Sequence, residues 1–76
     1  MFKSIVIVVP CFNESEILDT VLDELKGHFS NILVIDDGST DTTLSIIKSH
    51  DVNWISHPVN LGQGSSIDTA FKYLSS

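Results

Sequence analysis

Three short apolar runs punctuate the chain, each followed by a polar stretch and then by apolar residues at helical spacing. The first run, Ile5-Val6-Ile7-Val8-Val9, is continuous and β-branched, the pattern of a strand buried on both faces of a parallel sheet. It predicts a strand over roughly Ser4 to Val9, stopped by Pro10. Asn13 then stands where a helix cap belongs, with Glu16 three residues on as its capping-box partner. Ile17, Leu18, Val21, Leu22 and Leu25 share one helical face, and Gly27 supplies a C-terminal stop.

The second run, Ile32-Leu33-Val34-Ile35, predicts a buried strand over Asn31 to Asp36 that ends in paired acids, Asp36-Asp37-Gly38-Ser39. Ser39, Thr40 and Asp41 offer capping side chains to a second helix with Leu44 and Ile47 on its buried face. A third strand near Val52 to Ser56 alternates more, which suits the sheet edge. A loop from His57 to Gln63 leads to a third helix with Ile67, Ala70, Phe71 and Leu74 at i, i+3, i+4 and i+7. The order β-α-β-α-β-α predicts an α/β chain with a three-stranded parallel sheet, spatial order 3-2-1 and right-handed crossovers. Trp54 and Phe71 are expected in the core.

That order leaves the first strand at an edge, and a flat apolar edge invites pairing with another chain. The expectation is therefore that residues 1–76 are the N-terminal part of a longer protein, or a piece that pairs with another copy. Seventy-six residues make at most one small domain with a thin stability margin.

Charge removes some partners from consideration. The net charge is −6, with four lysines and no arginine, which argues against nucleic acid or an anionic membrane surface. The single Cys11 forms no internal disulfide, compatible with a reducing, cytoplasmic compartment. No apolar run approaches the roughly 18 residues of a membrane span. Met1-Phe2-Lys3 followed by the first apolar run faintly looks like a signal peptide, but it is short, lacks a small-residue cleavage site and reads better as a strand.

Ligands in open α/β sheets bind beyond the carboxyl ends of the strands. All three strand-to-helix loops, Pro10 to Glu14, Asp36 to Thr40 and His57 to Gln63, should share that rim. Together the segments IVIVVPCFNESEIL, VIDDGSTDTT and HPVNLGQGSSIDTAF resemble the N-terminal nucleotide-binding half of a family 2 glycosyltransferase of the GT-A fold. The resemblance covers nearly the whole chain. NLGQG looks most like the branch that transfers sugars to polyprenyl phosphates, including dolichyl phosphate.

The resemblance implies that Asp37 contacts the base of a nucleotide-sugar, and that Pro10, Phe12, Glu14 and the nearby Ile35 belong to the same pocket. A carboxylate is acceptor-only, so it reads the ring N–H of uracil or the paired N–H groups of guanine; UDP- and GDP-sugars both remain open. Phe12 stands where the family commonly has tyrosine, which keeps stacking and loses a hydroxyl. Asp36 and Gly38 support the site: successive strand side chains face opposite ways, so Asp36 is free to hold a neighbouring loop, and Gly38 permits a sharp turn.

Each feature also has a plainer reading. Asp-Asp-Gly-Ser alone is often a turn and helix cap. Asn13 and Glu16 read as caps, while Glu14 is free of the cap. The NLGQG amides either face a phosphate or pack a tight turn, the turn being preferred. His28, His50 and His57 show no ligand spacing and default to surface or loop positions. Cys11, beside the pocket, reads as a small packing residue.

Other α/β sites do not match. The Gly-x-Gly-x-x-Gly of dinucleotide binding and the Gly-Lys-Ser/Thr of a P-loop are both absent, and a phospho-receiver carries its acid pair after the first strand. The family's Asp-x-Asp metal motif does not occur either, and Asp36-Asp37 is a poor chelate. The resemblance therefore implies a divalent ion (Mg or Mn) and a general base supplied from a later part of a parent enzyme, with inversion at the anomeric carbon. Acceptor-binding elements and any membrane attachment would lie there too, placing the parent in the cytoplasm or at the cytoplasmic face of a membrane. Residues 1–76 alone are expected to bind nucleotide weakly and to transfer no sugar. The alternative is a non-catalytic nucleotide-binding or self-associating α/β module.

Overall fold

The computed structural model describes residues 5–75. The predicted start of the first strand at Ser4, the signal-like Met1–Lys3 and the terminal Ser76 lie outside them. The elements run β1 (Ile7–Cys11), α1 (Leu18–Lys26), β2 (Ile32–Asp37), α2 (Thr43–Lys48), β3 (Asn53–His57) and α3 (Gln63–Ser75). The strands form one open parallel sheet in the order β1-β2-β3, the predicted 3-2-1 arrangement.

β2 is central because it is the one strand whose every residue is buried. On one face Ile32 and Val34 pack with Leu18, Leu22, Ile47 and Cys11, beneath α1 and α2. On the other, Leu33 and Ile35 pack with Ala70 of α3, flanked by Val8 and Ile55. The sheet is thus covered on both sides, the usual condition for a parallel sheet.

The first strand differs from its sequence pattern in two ways. It begins later and runs through Pro10 to Cys11, and most of it is only half-buried. The edge position explains both. Ile7 N donates to Asn31 O across to β2, so by two-residue alternation the nitrogens of Val8 and Pro10 face outward. A proline there forfeits no ladder bond. No strand pairs with this outer edge among the described residues.

Helix starts also depart from the predicted caps. α1 begins at Leu18, and Ile17 at its N-cap makes no side-chain capping bond; the Asn13–Glu16 capping box does not form. Asp41 Oδ1 does accept Thr43 N at 2.9 Å near the start of α2, but Ser39 and Thr40 are engaged elsewhere. Gly27 caps α1 in ordinary right-handed geometry.

The largest correction concerns α3. Its predicted apolar stripe is mostly turned outward: Ile67 is 50%, Phe71 70% and Leu74 48% exposed, while Ser66 and Ala70 face the sheet. Small residues at i and i+4 let the helix lie close over Leu33 and Ile35, and that closeness selects them over the bulkier stripe. Trp54 is likewise not core but 39% exposed on edge strand β3, with Lys48 Nζ 5.3 Å from its ring centroid.

Truncations separate the observed core from the sequence-patterned one. Leu22→Ala, at a fully buried position, should cost about 2–5 kcal/mol in urea unfolding. Phe71→Ala should stay within roughly 0.5 kcal/mol of the unmodified chain.

Candidate functional site

Alternation along the strands decides which side chains meet. Val8, Leu33 and Ile35 lie on the α3 face, so Pro10, Phe12 and Asp37 follow onto that face, and Asp36 takes the opposite one. Beyond the carboxyl ends of β1 and β2, under the first turn of α3, lies a cavity of about 230 Å3 lined in part by Pro10, Phe12, Glu14, Asp37, Gln63 and Ser66. Four of the residues expected at the site, Pro10, Phe12, Glu14 and Asp37, therefore converge. Ile35 does not reach the lining; it is fully buried two residues before Asp37, on the same face of β2.

Asp37 is 4% exposed, and its carboxylate is held by hydrogen bonds from the third loop and β3. Oδ1 accepts Leu61 N at 2.9 Å and pairs with His57 Nδ1 at 2.8 Å, while Oδ2 accepts Gly62 N at 2.8 Å. Asn60 Nδ2 donates to the Asp37 carbonyl at 3.3 Å. The His57 bond, then the Leu61 and Gly62 amides and the nearby imidazole, hold the carboxyl below its usual range against the opposing effect of burial. The NLGQG amides thus have a third role: two of them solvate a buried carboxylate.

His57 departs from its expected place in the loop. It closes β3 directly opposite Asp37 in the sheet register and is 9% exposed. Its other nitrogen lies 2.8 Å from Thr69 Oγ1 on α3. A carboxylate can only accept, so Nδ1 carries a proton toward Asp37, and Nε2 and Thr69 Oγ1 share the second hydrogen bond. His57 thereby joins β2, β3 and α3. The clue available in the sequence was position: in aligned parallel strands the end of the third run falls beside the end of the second.

His50 is also no free surface group. Its ring is 5% exposed, with Nε2 2.7 Å from Asp19 and Nδ1 3.0 Å from Lys26 Nζ. It fastens the end of α2 to α1, away from the cavity.

Asp36 holds the turn and the neighbouring strand, accepting Ser39 N at 3.3 Å and Ser56 Oγ at 3.0 Å. Gly38 has φ +73°, and a Cβ there would overlap the backbone of Val59 and Asn60; only glycine lets the second and third loops approach so closely. Asn13, at φ +52°, stitches the first loop to the second. Its N–H donates to Ser39 Oγ at 3.0 Å and its Oδ1 accepts Thr40 N at 2.8 Å. Glu14 N donates to Thr43 Oγ1 at 2.9 Å, leaving the Glu14 side chain on the cavity wall.

Cys11 is 5% exposed at the edge of this cavity. Burial, reinforced by the carboxylates of Asp36, Glu14, Asp41 and Asp37, pushes its thiol up to about 12. It packs as a neutral side chain and is no nucleophile at neutral pH. Asp36 and Asp37 lie on opposite faces, each engaged internally, so their carboxylates do not face one common ligand. Among the described residues no group of three or more His, Cys, Asp or Glu is placed to hold a metal ion, and no helix is long and apolar enough to cross a membrane.

A parallel α/β sheet with an acid-floored cavity beyond its strand ends is an architecture that many ligand-binding α/β proteins share. Comparison with known sequences gives the family: the model for "Glycosyl transferase family 2" matches residues 6–76, and the chain belongs to that family. It is 41% identical over 69 residues to an uncharacterized protein of Methanocaldococcus jannaschii, covering 90% of this chain and 28% of the relative. It is 38% identical over 47 residues to the UDP-N-acetylglucosamine–dolichyl-phosphate N-acetylglucosaminyltransferase of Methanococcus voltae, covering 60% of this chain and 19% of that protein. A poly-beta-1,6-N-acetyl-D-glucosamine synthase of Staphylococcus epidermidis is 34% identical over 83 residues, or 96% of this chain and 19% of the synthase. The chain thus spans between 19% and 28% of the length of these relatives. No solved structure matches it.

The depressed carboxyl of Asp37 makes stability depend on acid. Because its folded pKa lies below the unfolded value of about 3.9, the contribution is fully present above that value and is lost as pH falls through the folded one. Urea unfolding should show a decline beginning near pH 4, and Asp37→Asn should make that decline shallower.

Proposed function

We propose that this chain is the donor-binding part of a glycosyltransferase that moves a sugar from a nucleoside-diphosphate sugar to an acceptor. The observation that carries this reading is the convergence of Pro10, Phe12, Glu14 and Asp37 on one cavity at the strand ends, in a chain of family 2. Asp37, kept ionised, accepts a ring N–H of the base; Phe12 stacks on it; Pro10 and Glu14 frame the pocket. Ile35 and Gly38 set the carboxylate's position from behind and beside it, and Asp36 holds the turn.

The acceptor is a polyprenyl phosphate in this reading. Support comes from the Methanococcus voltae relative and a Trichomonas vaginalis relative, 28% identical over 76 residues, both named for dolichyl phosphate. Transfer proceeds with inversion, at the cytoplasmic face of a membrane. A divalent ion, Mg or Mn, would stabilise the leaving diphosphate. The carboxylates described here do not fit it, so its ligands and the general base are assigned to other parts of the parent enzyme.

Two outcomes test the reading. Calorimetric titration with nucleoside diphosphates should show binding that Asp37→Ala and Phe12→Ala weaken by about tenfold or more. A radiolabelled nucleotide-sugar assay on residues 1–76 with Mg or Mn should give no transfer; turnover would overturn the assignment of the chemistry to other parts.

The outer edge of β1, which no strand pairs among the described residues, favours a second reading, a module that self-associates. It requires dimers in sedimentation at high concentration, and a soluble monomer there would exclude it.

A further inference from the structure

The buried ring of His50 meets three charged groups of α1, and they differ in what they can do. Asp19, Asp23 and Lys26 stand at i, i+4 and i+7 and so share one face of that helix. Nε2 lies 2.7 Å from Asp19 Oδ1, and Nδ1 lies 3.0 Å from Lys26 Nζ. Asp23 Oδ1 is 3.7 Å from the same Nδ1, outside hydrogen-bond distance.

These partners fix the proton. A carboxylate only accepts, so Nε2 carries a hydrogen toward Asp19. An ammonium only donates, so Nδ1 offers its lone pair to Lys26. The arrangement is therefore that of the neutral ring. A second proton can go only to Nδ1, where it would face the Lys26 ammonium, a like charge with no acceptor. Asp23 is the acceptor beside it, about one helical turn back from Lys26.

We propose that His50 is a proton-driven selector of partners on α1. Neutral, it accepts from Lys26; protonated at Nδ1 from solvent, it releases Lys26 and donates to Asp23. Asp19 is kept in both states, so the joint between α1 and α2 survives the titration. The second point of attachment moves about 4.5 Å along α1, at about 1.5 Å per residue. Of the charges on the His50 side, Lys48 lies over the Trp54 ring. Asp51 lines a second cavity together with Lys26, so the displaced ammonium has a carboxylate on the same wall. The exchange takes place at the C-terminal ends of the two helices, away from the cavity that holds Asp37.

The test is nuclear magnetic resonance of the isotope-labelled protein, titrated between about pH 5 and 8, where histidines change charge. At the upper end the His50 ring should carry its proton on Nε2 and show Overhauser contacts to Lys26 Hε. At the lower end both nitrogens should be protonated and contacts to Asp23 Hβ should replace those to Lys26. Lys26→Met should raise the His50 midpoint and Asp23→Asn should lower it, each by about half a unit, the worth of a partly exposed ion pair. Both substitutions fall on exposed side chains, so the fold is retained. A neutral ring protonated on Nδ1, a Lys26 contact that persists in the acid form, or a midpoint unmoved by Asp23→Asn would each overturn the proposal.

Discussion

Asp37 is a charge taken out of water and solvated again by its own chain. An unpaired buried carboxylate would be costly; here two amides of the third loop and the imidazole of His57 replace the lost water. Those donors lie 20 to 25 residues downstream, so the carboxylate cannot be satisfied until β3 and the loop after it are in place. Local geometry follows from this contact. The third loop folds inward over the end of β2, Gly38 must be without a side chain to let it approach, and α3 is brought down over the cavity through Thr69 and His57.

The first loop is fastened separately. Asn13 spans to Ser39 and Thr40, and Glu14 to Thr43, so each of the three loops is tied to another and none hangs from its strand alone. The cavity is a preformed space whose walls are set by bonds within the protein, the condition under which placed polar groups discriminate between ligands. Cys11 shows the same environment from another side: buried and ringed by carboxylates, its thiol stays neutral.

The architecture was legible because β2 is apolar from Ile32 to Ile35 and helical spacing recurs after each strand. The acid pair and glycine at the end of β2 located the site, and opposite strand faces separated Asp36 from Asp37. What stayed hidden was the third dimension. Ala70 was on the expected face, but nothing in the pattern of α3 says that Ser66, and not Ile67 and Phe71, joins it against the sheet; close approach made that choice. Asn13 looked like a cap because a cap and a cross-loop bond use the same amide chemistry. His57 looked like a loop residue because its partners are far away in the chain. The role of the NLGQG amides could not be read without knowing that Asp37 lies beneath them.

The proline in β1 has a consequence for assembly. Along the outer edge of that strand the backbone offers a donor at Val8 and none at Pro10. Any segment that docks there, from this chain or another, meets a gap in the ladder just where the strand nears the cavity. A strand aligned there can still donate to the Pro10 carbonyl, but an acceptor set opposite the Pro10 nitrogen goes unmet, so the edge offers one ladder bond fewer near the rim than it does at Val8.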